Sequence, residues 1–211
     1  MSKKKMNDLK DQIVLITGAG KGAGRALAEA FAARGAFVAA NDLSPINVEQ
    51  VVDGIIARGG KAKAYVEDVA KKVGVQALVK SVEDDLGGID ILINHAAVKP
   101  HTPLLNMDEW DWHRMLDVNL TGAFLMIQSV GRVMRASSQQ RDKGNRVIIN
   151  IVAGAGEGTE KEAGAYLTSK AGLAELSRQA DKELSPHGVR VHAVENSMAV
   201  VEHILSLVEA K

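Results

Sequence analysis

The stretch "IVLITGAGKGAGRALAEAF" (residues 13–31) decides the fold. Its first five residues form an unbroken apolar or β-branched run, which suits a strand covered on both faces. Glycines at 18, 20, 22 and 24 then lead into small and apolar residues at helical spacing. Such glycines let the chain turn tightly and bring backbone N–H groups close to a phosphate. The N-terminus of the helix behind them adds a field that favours the anion. The common G-x-G-x-x-G spacing is absent, because Ala23, Arg25 and Leu27 stand at the third-glycine positions. A Walker lysine-serine pair is absent too. Strand, glycine turn and helix in that order predict a nucleotide-binding βαβ start.

Outward from this stretch, short apolar runs alternate with longer helical patterns. Strands are expected at 13–17, 37–40, 61–66, 89–94, 146–152 and 189–194. "RVIINIV" (146–152) is nearly continuous in apolar residues, whereas "KAKAYV" (61–66) alternates lysine and alanine and suits an edge. Helices are expected at about 22–34, 45–58, 71–86, 108–136, 162–185 and 198–210. Ser44-Pro45 makes a helix start, and Ser185-Pro186-His187-Gly188 makes a stop. Alternation of this kind implies right-handed crossovers. The expected fold is a doubly wound α/β domain with a parallel sheet in strand order 3-2-1-4-5-6 and helices on both faces.

The chain of 211 residues is long enough for one sizeable core. Lysine plus arginine equals aspartate plus glutamate, 26 each, so nothing favours nucleic acid or an anionic membrane surface. No cysteine is present, which excludes disulfides and thiolate chemistry and fits a cytoplasmic protein. Residues 1–10 read as a mobile basic tail ahead of a single domain at 11–211; the tail lacks the apolar run of a secretory signal. No apolar stretch approaches the roughly 18–20 residues of a membrane span. The histidines at 95, 101, 113, 187, 192 and 203 lack metal-ligand spacing, so no metal is expected. Trp110 and Trp112, near a helix start with an acidic first turn, read as packing or subunit-contact residues.

Asp42 ends the second strand, 24 residues after Gly18. A carboxylate there can accept both hydroxyls of an adenosine ribose and repels a 2′-phosphate. It can also serve the turn into the Ser44-Pro45 helix. Lys21 in the glycine loop pulls weakly towards a phosphate, but the aspartate favours NAD over NADP.

At this point the residues resemble the short-chain dehydrogenase/reductase family over about residues 10–195. "TGAGKGAG" resembles its cofactor loop, with Gly18, Lys21, Gly22, Ala23 and Gly24 as contacts. "EDV" (67–69) resembles its adenine contact, with Asp68 as acceptor and Val69 beside it. "NHAA" (94–97) resembles the N-N-A-G stretch after strand four, with Asn94 and Ala96 kept and His95 and Ala97 as departures. "DVNLTGAF" places Asn119 where the family has its helix asparagine, and "YLTSK" supplies Tyr166 and Lys170. The resemblance implies a Rossmann fold, NAD as cofactor, and hydride transfer between it and a small alcohol or carbonyl. It also implies a homo-dimer or homo-tetramer assembled through the two long helices. Tyrosine's reference pKa is about 10, so near neutral pH it is a poor base. A lysine at i+4 lies on the same helical face and favours the phenolate. Tyr166 and Lys170 are therefore expected both to catalyse and to meet the cofactor, with Asn119 anchoring a water in the proton relay.

Three departures weigh against full activity. Ala153 takes the position of the family's catalytic serine, and Thr159 is only a remote substitute. Losing one such donor typically costs about 2.7–4 kcal/mol of transition-state stabilisation. The proline-glycine corner after strand six is replaced by Asn196 and Ser197. "MAVVEHILSLVEAK" (198–211) follows almost directly, so a substrate lid and a last strand are expected to be missing. The expectation is an NAD-dependent oxidoreductase; the alternative is a non-catalytic NAD-binding sensor or scaffold.

Overall fold

A computed structural model describes residues 9–137, 146–154 and 163–209. In chain order these form β1 (Ile13–Thr17), α1 (Gly22–Ala33), β2 (Phe37–Asp42), α2 (Pro45–Ala57), β3 (Lys61–Val66), α3 (Lys72–Leu86) and β4 (Ile91–Asn94). Then come α4 (Glu109–Leu116), α5 (Ala123–Ser137), β5 (Arg146–Val152), α6 (Gly164–Leu184), β6 (Val189–Glu195) and α7 (Val200–Glu209). The strands build one sheet in the order β3-β2-β1-β4-β5-β6, every neighbouring pair parallel. That is the expected order. Residues 1–8 of the basic tail, Thr159 and both outermost residues of the expected helices at 162 and 210 lie outside the described residues.

The strand alternation sorts the core into two layers. Val14 and Ile16 face α1, α2 and α7, meeting Leu27, Phe31, Val51 and Ile204. Leu15 and Leu92 face α3, α5 and α6, meeting Leu78, Met126, Val130 and Ala180. With apolar residues needed on both sides, β1, β4 and β5 are buried throughout. β3 keeps Lys61 and Lys63 exposed at the sheet edge, where Lys63 pairs with Asp85 at 2.6 Å. β4 begins at Ile91, two residues later than expected. The buried Asp90 before it accepts the Ile13 N–H at 2.8 Å and so pins β1 to β4.

The helix expected at 108–136 is instead α4 and α5 joined by a π-helical turn at Asp117–Gly122. Asp108 caps α4 through the Asp111 N–H at 2.7 Å. α7 lays Val200, Ile204, Leu205 and Val208 into the layer shared with α1, and an Arg34–Glu209 ion pair ties the two ends together. Only residues 196–199 join β6 to α7, and among the described residues the sheet ends at β6. No described helix is long and apolar enough to cross a membrane.

Candidate active site

The glycine turn needs its glycines for two different reasons. Gly18 has φ +66°, and a Cβ there would stand 2.8 Å from the Ala96 Cα. Gly24 sits at the start of α1, where a Cβ would stand 2.1 Å from the Gly18 carbonyl oxygen. Gly24 thus permits the close helix-on-turn packing that the missing third glycine would have allowed. The cradle a side chain would fill is left open, which fits a pyrophosphate brought close to backbone N–H groups.

Beside the turn lies a cleft of about 450 Å³ at the carboxyl ends of β1, β2 and β4. Gly18, Lys21, Asp42, Asp68, Val69 and Ala96 all line it. Asp42 accepts the Gly20 N–H at 2.9 Å on one oxygen and the Ser44 N–H at 3.0 Å on the other. Each carboxylate oxygen keeps a further lone pair for a ligand hydroxyl. Asp42 thus shapes the turn and lines the cleft. Asp68 is braced in the same way by the Ala70 N–H at 3.0 Å. Glu67 and Asp117 add carboxylates to the lining, against the cations of Lys21 and Arg114. The sequence reading missed Glu67, Asp117 and Arg114, which carry no motif signal of their own.

Gly22, Ala23 and Gly24 lead away from this cleft into α1 and do not line it. The Asn94 side chain is buried at the end of β4, and its Nδ2 donates to Asn150 Oδ1 at 2.8 Å. The parallel register sets Asn94 opposite Asn150, so the Asn94 amide nitrogen finds its acceptor across the strands. Asn150 then donates to Ser177 Oγ at 2.9 Å, anchoring α6 on the sheet.

Thr17 and His95 replace what the motif lacks. Thr17 Oγ1 accepts the backbone N–H groups of His95 (3.1 Å) and Ala96 (3.2 Å), fixing the chain beyond β4 against β1. His95 Nδ1 lies 3.1 Å from the Gly18 carbonyl oxygen and donates to it in the matching tautomer. Burial first, and the Lys170 charge after it, push the imidazole pKa down despite the Gly18 bond. His95 is thus a neutral brace for the glycine turn. The only sequence signal for Thr17 was its place immediately before Gly18.

Tyr166 and Lys170 lie one turn apart on α6, 6% and 3% exposed. The Lys170 ammonium donates to the Ile151 carbonyl near the end of β5 at 2.8 Å and stands 5.8 Å from the Tyr166 ring centre. Tyr166 forms a small apolar cluster with Met115 and Ala165, against which Val98, Met107, Trp112, Ala153 and Leu167 pack. Trp112 is therefore a packing residue of the site, while Trp110 is 65% exposed beneath Arg114. Ala153 follows β5 and packs against this cluster. Asn196 donates its N–H to the Val152 carbonyl at 3.0 Å, extending the β5–β6 pairing by a bond that a proline could not make.

Asn119 sits in the π turn, a form of helix frequent at functional sites. Its Oδ1 accepts the Val98 N–H at 2.8 Å, and its Nδ2 donates to the Val98 carbonyl at 2.9 Å and to Ser169 Oγ at 3.1 Å. All three capacities of the amide in use bind one segment to another. Ser169, unnoticed in the sequence, closes the link by donating to the Tyr166 carbonyl at 2.7 Å.

The comparisons with known proteins agree with this geometry. The family model for short chain dehydrogenase matches residues 12–205. Galactitol 2-dehydrogenase of Agrobacterium fabrum is 36% identical over 92% of this chain and 73% of its own length. A metagenomic short-chain oxidoreductase solved in complex with NADP superposes with TM-score 0.88 at 28% identity, covering 97% of this chain and 94% of that one. An NAD+-bound xylitol dehydrogenase superposes at 0.81 and 30% identity, covering 97% and 77%. The chain belongs to the short-chain dehydrogenase family of oxidoreductases.

Proposed function

We propose that this protein uses NAD(H) to interconvert a small alcohol and its carbonyl, with Tyr166 as general acid/base and Lys170 as its activating cation. The observation that carries the reading is the burial of Tyr166 and Lys170 together on α6, at the same sheet edge as the cleft that holds Asp42. When bound, the nicotinamide dinucleotide supplies the hydride or takes it up. Gly18 and its neighbours hold the pyrophosphate, Asp42 the adenosine ribose, and Asp68 and Val69 the adenine side. Tyr166 gives a proton to the carbonyl oxygen in reduction and takes one from the alcohol in oxidation. Lys170 favours the phenolate form that this exchange requires. Asn119 acts as a positioning residue through Val98 and Ser169, in place of the water-anchoring side chain expected from the motif.

Four carboxylates in the cleft against two cations support NAD over NADP, because an added 2′-phosphate meets like charge. The relatives include proteins solved with either cofactor, so direct titration decides. Galactitol and xylitol dehydrogenases among the relatives make linear polyols and the matching ketoses the first substrates to try. We further assign residues 11–211 to one domain that assembles as a homo-oligomer. Isothermal titration with NAD and NADP, then a polyol and ketone screen followed at the nicotinamide absorbance, tests the whole reading. Tighter NADP binding would remove the role given to Asp42.

A second reading has one observation in its favour: Ala153 brings no hydroxyl to Tyr166. NAD binding without turnover on any alcohol or carbonyl would establish a nucleotide-binding protein that does no chemistry.

A further inference from the structure

Lys99 belongs to no motif of the chain, yet its ammonium lies 5.4 Å from the Tyr166 ring centre, as near as that of Lys170 at 5.8 Å. It comes from the segment between β4 and α4, which the polar links described above hold in place. Val98, its immediate neighbour, is gripped at both its N–H and its carbonyl by Asn119. Asn119 reaches Ser169 on α6, and Ser169 bonds the Tyr166 carbonyl. The backbone carrying Lys99 and the helix carrying Tyr166 are therefore locked together through buried hydrogen bonds. Tyr166 also belongs to a buried apolar cluster with Met115 and Ala165, against which Val98, Met107, Trp112, Ala153 and Leu167 pack. In such surroundings a charge a few ångströms away acts far more strongly than in water.

We propose that Lys99 is a second activating cation of this site, sharing with Lys170 the electrostatic support of the ionised Tyr166 phenol. Resting on the oxidoreductase reading, it also gives the site a compensation for Ala153. A serine would have shared the load of the developing negative charge by a hydrogen bond; Lys99 shares it as a field acting on the same phenol.

The experiment needs neither substrate nor cofactor. The chain has two tyrosines. Burial, and then its bond to Asp85 at 3.0 Å, push the Tyr65 phenol far above the ordinary range, so the earlier tyrosinate transition in an absorbance titration of the full chain belongs to Tyr166. Tyr166→Phe identifies that transition by removing it. Lys99→Met should move it up by about one pH unit, Lys99→Gln should do the same, and Lys99→Arg should leave it in place. The proposal is overturned if both neutral variants titrate like the unmodified protein, if Lys99→Arg shifts as far as they do, or if Tyr166→Phe removes no transition below that of Tyr65. A shift as expected in a protein with no turnover on any polyol or ketone would sink the oxidoreductase reading and leave Lys99 in its role.

Discussion

Ala153 and His95 are single residues whose chemistry is set by what they touch. Ala153 packs against the cluster that contains Tyr166, and in the proposed reading a hydroxyl added to its Cβ serves the phenol. Ala153→Ser should raise kcat on a small alcohol or ketone, by up to about a hundredfold if the full worth of such a donor is recovered. The gain should vanish in the double variant with Tyr166→Phe, because the two hydroxyls act on one oxygen. Turnover that stays at background with NAD bound normally would favour the non-catalytic reading. His95 acts through pH instead. Its folded pKa is depressed, first by burial, so the unfolded chain takes up this proton more readily than the folded one. The stability it contributes is complete above about pH 6.5 and is lost as pH falls through that value. His95→Asn should flatten this acid limb in urea denaturation measured on either side of it. His192, also depressed chiefly by burial, leaves a residual slope. An unchanged acid limb in His95→Asn would show that the imidazole is not its source.

Elements carry the next level, and α1 with its glycine turn gives the sharpest contrast. Gly22 has φ +56° but open space around its Cβ direction, whereas Gly24 meets the Gly18 carbonyl at 2.1 Å. Gly22→Ala should cost about 1–2 kcal/mol of backbone strain and still bind NAD. Gly24→Ala should cost more and lose NAD binding, since either the turn or α1 must move. Calorimetric titration and denaturation of the two variants check this, and equal behaviour would contradict it. The βαβ order was legible in residues 13–31 because strand period, turn glycines and helix pattern are all local. The π turn was not. "DVNLTG" reads as ordinary helix, and Asn119 within it bonds Val98 and Ser169, 21 and 50 positions away. The Asn94 bond to Asn150 was not legible for the same reason, its partner lying 56 positions on. A motif marks which residue is needed; whether it faces a ligand or a neighbouring strand depends on contacts that spacing does not encode. The glycine turn and the Tyr-Lys spacing were legible because each lies within one turn or one helix. Lys99 was not, since only the fold brings it to the ring.

At the scale of the whole molecule, the surface of α5 and α6 bears on assembly. α5 and α6 run side by side and enclose a groove of about 410 Å³, lined by Phe124, Gly131, Leu176 and Leu184 among others. Leu173 and Ala180 on α6 are buried in the protein's own core, at 1% and 8% exposure. What remains is Phe124, 41% exposed, with Leu116, Leu120 and Leu176 half-buried around it. Arg132, Arg135 and Glu183 border the same groove. Cations and a carboxylate on one patch allow a two-fold axis to set the arginines of one protomer against the glutamate of its partner, while the phenylalanines meet near the axis. This patch supports the proposed homo-oligomer and makes α5 and α6 its expected contact. Phe124→Glu puts two like charges near that axis without touching the core, so it should yield monomers by light scattering at micromolar concentration, with the helical circular dichroism unchanged. The unmodified protein scattering as a monomer, or Phe124→Glu keeping the mass of the unmodified assembly, would remove α5 and α6 as the contact.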